Sequence, residues 1–246
     1  MHALFDVPAD VPADDAVRPH PRPRWQADPD ALLEGLNDQQ RAAVLHTGSP
    51  LLIVAGAGSG KTRVLAHRIG YQLAARTGPD AVNPGQILAI TFTNKAAGEM
   101  KDRVAALVGP RARFMWVSTF HSACVRILRA EAKHAGLKSN FSIYDADDSR
   151  RLMTLVAREL DLDPKRYPPR SLLAQVSNLK NELVDNEDFA AKATGPAQRT
   201  LAEAYTFYQE RLRQAQALDF DDLIMTTVHL LGAFPQVTEH YRRRFR

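Results

Sequence analysis

Apolar residues in this chain fall into two patterns that alternate along its first half. Short continuous runs occur at Leu51-Leu52-Ile53-Val54, Ile87-Leu88-Ala89-Ile90 and Phe114-Met115-Trp116-Val117. Each run is followed by a polar cluster and then by apolar residues at helical spacing, such as Val64, Leu65, Ile69 and Leu73 after the first. Runs of this length read as strands buried on both faces, and the spaced segments read as amphipathic helices. The alternation predicts an α/β fold with a parallel sheet joined by crossover helices. From Arg126 the character changes. Ser139–Tyr144 allows one short strand, and Asp145–Gly232 reads as helices with no further strand–loop–helix unit. Asp145 or Asp147 is placed to cap a helix reaching Leu160, and Ser171 to cap the next. Longer helices are predicted over about Ala197–Ala217 and Phe220–Leu231.

The loop after the first run carries the chemistry. Ala55-Gly56-Ala57-Gly58-Ser59-Gly60-Lys61-Thr62 has strand before it and helix after it, the order that a phosphate-binding loop requires. Glycines let the backbone close round a phosphate, so that successive N–H groups and the helix N-terminus face the anion. Lys61 is then the residue that reaches the β- and γ-phosphates, and Thr62 the hydroxyl that ligates magnesium. Ala55 replaces the first glycine of the usual pattern, a common variant. The competing reading, a glycine-rich surface loop, explains neither the strand before it nor the helix after it. The chain is therefore expected to bind a nucleoside triphosphate with Mg2+.

Ligands of open α/β sheets gather at the carboxyl ends of strands, and two more polar clusters stand there, TFTNKAA from Thr91 and STFHS from Ser118. Phe92 and Phe120 are apolar where the chain should turn polar, with Lys95 and His121 as donors beside them. Such a set could stack bases and hold phosphates of a single strand. Equally, the phenylalanines could be core and Thr93 and Ser118 helix caps. Asn37 is placed to cap a helix through Val44 and Leu45. Gln40, about twenty residues before the loop, could read adenine through its amide or simply face solvent.

Composition narrows the class. The chain has 246 residues, a formal net charge of +4 and one cysteine, Cys124, so it can form no internal disulfide, which suits a reducing cytoplasm. No apolar stretch approaches the roughly 20 residues of a membrane span. Residues 1–34 hold seven acids against three arginines together with six prolines, and are expected to be a disordered tail; the rest carries a net +8. A moderately basic body permits a polyanionic partner without requiring one. Asp145-Ala146-Asp147-Asp148 and Asp219-Phe220-Asp221-Asp222 are possible metal ligands, though helix capping is the simpler account. No Asp-Glu dipeptide occurs, so the usual magnesium aspartate and water-activating glutamate have no counterpart.

Together these motifs resemble the UvrD/PcrA/Rep family of superfamily 1 DNA helicases from Leu36 onward. LNDQQRAAV is similar to the family's Q motif, AGAGSGKTRVL to motif I, ILAITFTNKAAGEMKDRV to motif Ia, WVSTFHSACVRILR to motif Ib, and LDFDDLI to a further signature. Actinobacterial members look closest, from SNFSIYDADDSRRL and YRRRFR. The resemblance implies a RecA-like domain interrupted by an all-helical insertion. Its expected parts are a first RecA-like segment at 35–125, the insertion at 126–215, and a return at 216–246 that stops before the Walker B strand. It makes Gln40 the adenine reader, with Arg63 against the base. Ala55, Gly56, Ala57, Gly58, Ser59, Gly60, Lys61 and Thr62 become the triphosphate cradle, Lys61 and Thr62 being the catalytic pair. Phe92, Asn94 and His121 become contacts to single-stranded DNA. The implied whole is a cytoplasmic 3′-to-5′ ATP-dependent DNA helicase of repair or replication, with repair or replication proteins as further partners. This part of it is expected to bind nucleotide without efficient hydrolysis or unwinding. The alternatives are a self-contained nucleotide-dependent DNA-binding module, or another P-loop phosphotransferase using Asp145 or Asp219 for magnesium.

Overall fold

The computed structural model describes residues 27–56, 58–75 and 81–245. Most of the expected tail (residues 1–26), Ala57 of the loop, residues 76–80 and Arg246 lie outside the described residues.

Strands β1 (Leu88–Thr91) and β2 (Trp116–Thr119) pair in parallel, with Leu88 opposite Trp116 and Thr91 opposite Thr119. A parallel pair needs a long crossover, and helix α3 (Asn94–Val108) supplies it. Thr93 caps α3 by accepting from the Ala96 N–H. Helix α2 (Lys61–Ala75) packs against α3, and Ala66, Ile69, Met100, Val104 and Val117 form one core. The short helix α1 (Asp38–Leu45) lies on α2 through Val44 and Val64. Helix α4 (Phe120–Ala130) follows β2.

A second parallel pair joins β3 (Ser142–Tyr144) to β4 (Ala217–Asp219). Between them in sequence run α5 (Ala146–Glu159), α6 (Pro169–Asn181), α7 (Asn186–Lys192) and α8 (Pro196–Gln214), built on their own core of Met153, Val156, Leu172, Val176, Tyr205 and Tyr208. Helices α9 (Phe220–Ala233) and α10 (Pro235–Arg244) return to pack with α4 around Leu128, Phe141, Leu223, Leu230 and Val237.

Four expectations are corrected. Leu51–Val54 is not a strand, and Leu52 and Val54 stand 85% and 86% exposed. A strand needs a hydrogen-bonding neighbour, and among the described residues no strand pairs with this run. Strand β4 was not foreseen, because three residues are too few to show alternation. Thr119, not Ser118, caps α4, accepting from the Ser122 N–H, while the Ser118 hydroxyl is buried without a partner. Helix α6 begins at Pro169, ahead of Ser171: a proline at the first helical position has φ preset and no N–H to satisfy.

One buried polar group joins the α5–α8 bundle to the second sheet. The Lys180 ammonium, fully buried on α6, donates to Asp219 Oδ2 at 2.6 Å and lies 2.8 Å from Asp222 Oδ1. Tyr208 Oη also donates to Asp219 (3.0 Å), and Gln209 donates to Asp222 (3.2 Å). Asp219 and Asp222 cap α9 in a reciprocal box. Burial opposes ionisation of Asp219, yet the Lys180 charge and its hydrogen bonds outweigh burial and hold the carboxyl below the usual range. For Asp222 burial wins: against the pull of Lys180, and helped by the Asp219 charge, it pushes the carboxyl up to about 6. Between the ordinary value of 3.8 and about 6 the folded chain thus keeps a proton that the unfolded chain has lost, so this contribution falls as pH rises. Asp219 acts oppositely, and its contribution is lost as pH falls below 3.8. The stability advantage of the parent over Asp222→Asn should therefore shrink from pH 4.5 to pH 6.5. Urea unfolding at both values checks this, and an advantage that grows with pH would contradict it.

Candidate nucleotide site and strand-end aromatics

The loop before α2 has the geometry of an anion cradle. Gly58 and Gly60 have φ of +77° and +85°, a region side chains rarely enter, and a Cβ on Gly60 would stand 3.0 Å from Gln40 Nε2. Helix α2 begins at Lys61, so its free N–H groups and positive dipole end open on the loop. The Lys61 ammonium folds back and donates to the carbonyls of Ala55 (2.7 Å) and Gly56 (2.6 Å). The Ser59 hydroxyl also donates to the Gly56 carbonyl, at 2.7 Å. A cation parked on two carbonyl dipoles is available to a stronger anionic partner, such as a phosphate oxygen. Thr62 follows, exposed, on the first turn of α2.

A cavity of about 170 Å³ lies beside the loop, lined by Asn37, Gln40, Ile53, Ala55, Ser59 and Lys61 among others. Asn37 and Gln40 form a capping box at the start of α1: the Asn37 side chain accepts from the Gln40 N–H, and Gln40 Oε1 accepts from the Asn37 N–H. Gln40 Nε2 also donates to the Ser59 carbonyl (3.1 Å), so this one side chain ties α1 to the loop. Arg63 lies near the turn into α1, where a Cβ on Gly35 would come 3.1 Å from its Nη2. Gln40, Ser59 and Lys61 are thus gathered at one cavity, with Arg63 one residue beyond Thr62 on α2.

Asp145 and Asp219 do not join them. Asp145 accepts from the Asp147 and Asp148 N–H groups as the cap of α5, and Asp219 is committed to Lys180. Neither lines the cavity at Lys61. Among the described residues no group of three or more His, Cys, Asp or Glu is placed to hold a metal.

The sheet ends form a second feature. Phe92, directly after β1, is 94% exposed, and Phe120, directly after β2, is 52% exposed; their ring centroids lie 6.4 Å apart. The core reading of these rings is therefore corrected: they are held at the surface. Asn94 is exposed at the start of α3. His121 sits edge-on to Phe220 at 5.3 Å. Phe220 was missed in the sequence, yet its signal was present: like Phe92 and Phe120 it is the first residue after a strand, and it remains 48% exposed. Three strand ends thus present phenylalanines, with His121 against the ring of Phe220.

Comparison with known proteins fits this geometry. Residues 36–246 match the UvrD/REP helicase N-terminal domain. The chain is 61% identical over 240 residues to the ATP-dependent DNA helicase UvrD1 of Mycobacterium tuberculosis (strain CDC 1551 / Oshkosh), a match covering 96% of this chain and 30% of that protein. It is 50% identical over 214 residues to the ATP-dependent DNA helicase PcrA of Bacillus subtilis (strain 168), covering 87% of this chain and 28% of that one. The chain therefore spans under a third of the length of these relatives. Matched over residues 36–246, the chain belongs to the UvrD/REP helicase family, in the N-terminal domain.

Proposed function

We propose that this chain is the ATP-binding N-terminal portion of a 3′-to-5′ DNA helicase or translocase that acts on single-stranded DNA in repair or replication, in the cytoplasm. Its architecture is then a RecA-like sheet, 35–125 and 216–246, interrupted by the helices of 126–215. The observation that carries the reading is the Lys61 ammonium held on the Ala55 and Gly56 carbonyls, one residue from Thr62 and beside Gln40. The names of the relatives, ATP-dependent DNA helicases, support it.

Each residue then has a task. Bound ATP with Mg2+ would supply the phosphoryl group and the counter-charge that its transfer requires. Gly56, Gly58, Ser59 and Gly60 present backbone N–H groups to the phosphates, with Ala55 and Ala57 completing the loop. Lys61 leaves its two carbonyls for phosphate oxygens, and Thr62 offers a hydroxyl to the magnesium ion. Gln40 and Arg63 bracket the base. Phe92, Asn94 and His121 take a single strand, with Phe220 continuing the row. These residues are assigned nucleotide binding, and efficient turnover is not assigned to them.

ATP hydrolysis and nucleotide binding by this chain, with and without single-stranded DNA, test the reading, with Lys61→Ala as the blank. We expect nucleotide binding that the variant loses, and no DNA-stimulated turnover above the blank. Stimulated turnover well above it would sink the binding-only assignment and move the search to the carboxylates.

A further inference from the structure

Helix α1, which carries Gln40, has only eight residues, Asp38–Leu45. Isolated helices shorter than about 12 residues are marginal in water, so its position must be imposed from outside. Its N-terminus is fixed by the Asn37–Gln40 capping box. Its C-terminus is fixed by a residue of the phosphate-loop helix. Arg68 Nη1 donates to the carbonyls of Ala43 (2.7 Å) and His46 (2.8 Å), with Val44 at 3.4 Å. These carbonyls lie at the end of α1, where acceptors have no partner within the helix and where the dipole favours a cation. Arg68 stands two turns along α2 from Lys61 and is half-buried. Its neighbour His67 makes a parallel contact, Nδ1 to the Leu32 carbonyl at 2.7 Å, which ties down the turn before α1.

We propose that Arg68 is a positioning residue for base recognition: its guanidinium clamps the C-terminus of α1 to α2 and so fixes the distance from the Gln40 amide to the phosphate loop. The proposal rests on the nucleotide-site reading above. The phosphates are held by the loop and the start of α2, which Arg68 does not touch. The base is read from α1, whose only side-chain hydrogen bond to the loop, among the described residues, is that of Gln40 to Ser59. Loosening the Arg68 end of α1 lets Gln40 drift while Lys61 stays in place. Arg68 therefore governs selectivity for a nucleotide over a bare triphosphate, and acts through Gln40.

The test measures dissociation constants of the full 246-residue chain for Mg–ATP and for inorganic tripolyphosphate. Arg68→Met should weaken ATP about tenfold, a step of about 1.4 kcal/mol, and tripolyphosphate less than about twofold. Arg68→Lys, which keeps a cation within reach of the carbonyls, should recover most of the loss. On a Gln40→Ala background Arg68→Met should add less than about twofold, because two residues acting through one contact do not add. Circular dichroism checks folding, and should Arg68→Met fail to fold, Arg68→Gln is read on the same two ligands with the same expectation. Equal loss of both ligands, or a full tenfold loss on the Gln40→Ala background, overturns the proposal. A parent that prefers ATP, with the preference intact in Arg68→Met, overturns this proposal alone. A parent that binds neither ligand, or both equally, overturns the nucleotide site and the proposal with it.

Discussion

Lys180→Met should lower the stability of the chain by about 3–5 kcal/mol, the usual consequence of removing one partner from a buried ion pair. The ammonium has no solvent exposure and touches two carboxylates, themselves almost fully buried. Methionine fills most of the volume, so the loss reports charge rather than a cavity. It leaves Asp219 with the Tyr208 hydroxyl and the Asp222 N–H, and Asp222 with the Gln209 amide and the Asp219 N–H. Two unbalanced buried charges then face each other across one helix start. Without Lys180 both carboxyls bind protons more readily, so the cost of the substitution should be larger at pH 8 than at pH 5. Asp222→Asn added to Lys180→Met should return part of the stability at pH 8. Urea midpoints for the three chains decide the matter. A midpoint for Lys180→Met within about 0.5 kcal/mol of the parent, the range of ordinary surface changes, would mean that the cluster holds nothing together.

How much of this was legible in the residues depends on the range of the interaction. Local rules were readable. Asn37, Thr93 and Asp145 cap the helices expected of them, because a cap is decided within three residues. The glycines at 58 and 60 announced a loop that only positive φ can form. What failed is what the rest of the molecule decides. The apolar run at Leu51–Val54 has the composition of a buried strand, but composition cannot supply the neighbour that makes a strand. The partnership of Lys180 with Asp219 spans 39 positions, and no spacing rule reaches that far. Nothing local in the sequence marks Lys180 as a partner, and Asp219 and Asp222 read there as possible metal ligands or, more simply, as a cap. They are both cap and counter-ion. The capping box sets the start of α9, and Lys180 holds that start against α6. Phe220, between the two aspartates, is thereby held edge-on to His121. The same cluster that costs stability to build thus places an aromatic ring at the end of a strand.

Phe92→Ala should weaken binding of single-stranded DNA by about 1–3 kcal/mol, roughly 5- to 150-fold, the range found for removal of one base-stacking aromatic. It should do so with almost no change in stability, because a ring 94% exposed contributes little to the core. That contrast separates the two accounts of the TFTNKAA cluster. If Phe92 were packing, its loss would appear in unfolding and not in binding. Phe120 is the sharper comparison, since it is 52% exposed and touches Phe92 at 6.4 Å. Phe120→Ala should lower both DNA affinity and stability. The double substitution should cost less affinity than the two single costs together, because adjacent rings share one base stack. Fluorescence anisotropy with labelled oligothymidine measures this at several salt concentrations. The slope of log affinity against log salt counts phosphate contacts, so Phe92→Ala should shift the line without changing its slope. A changed slope would assign Phe92 to placing a cation such as Lys95, three positions along the chain. Unchanged affinity would remove the strand-end phenylalanines from the DNA path altogether.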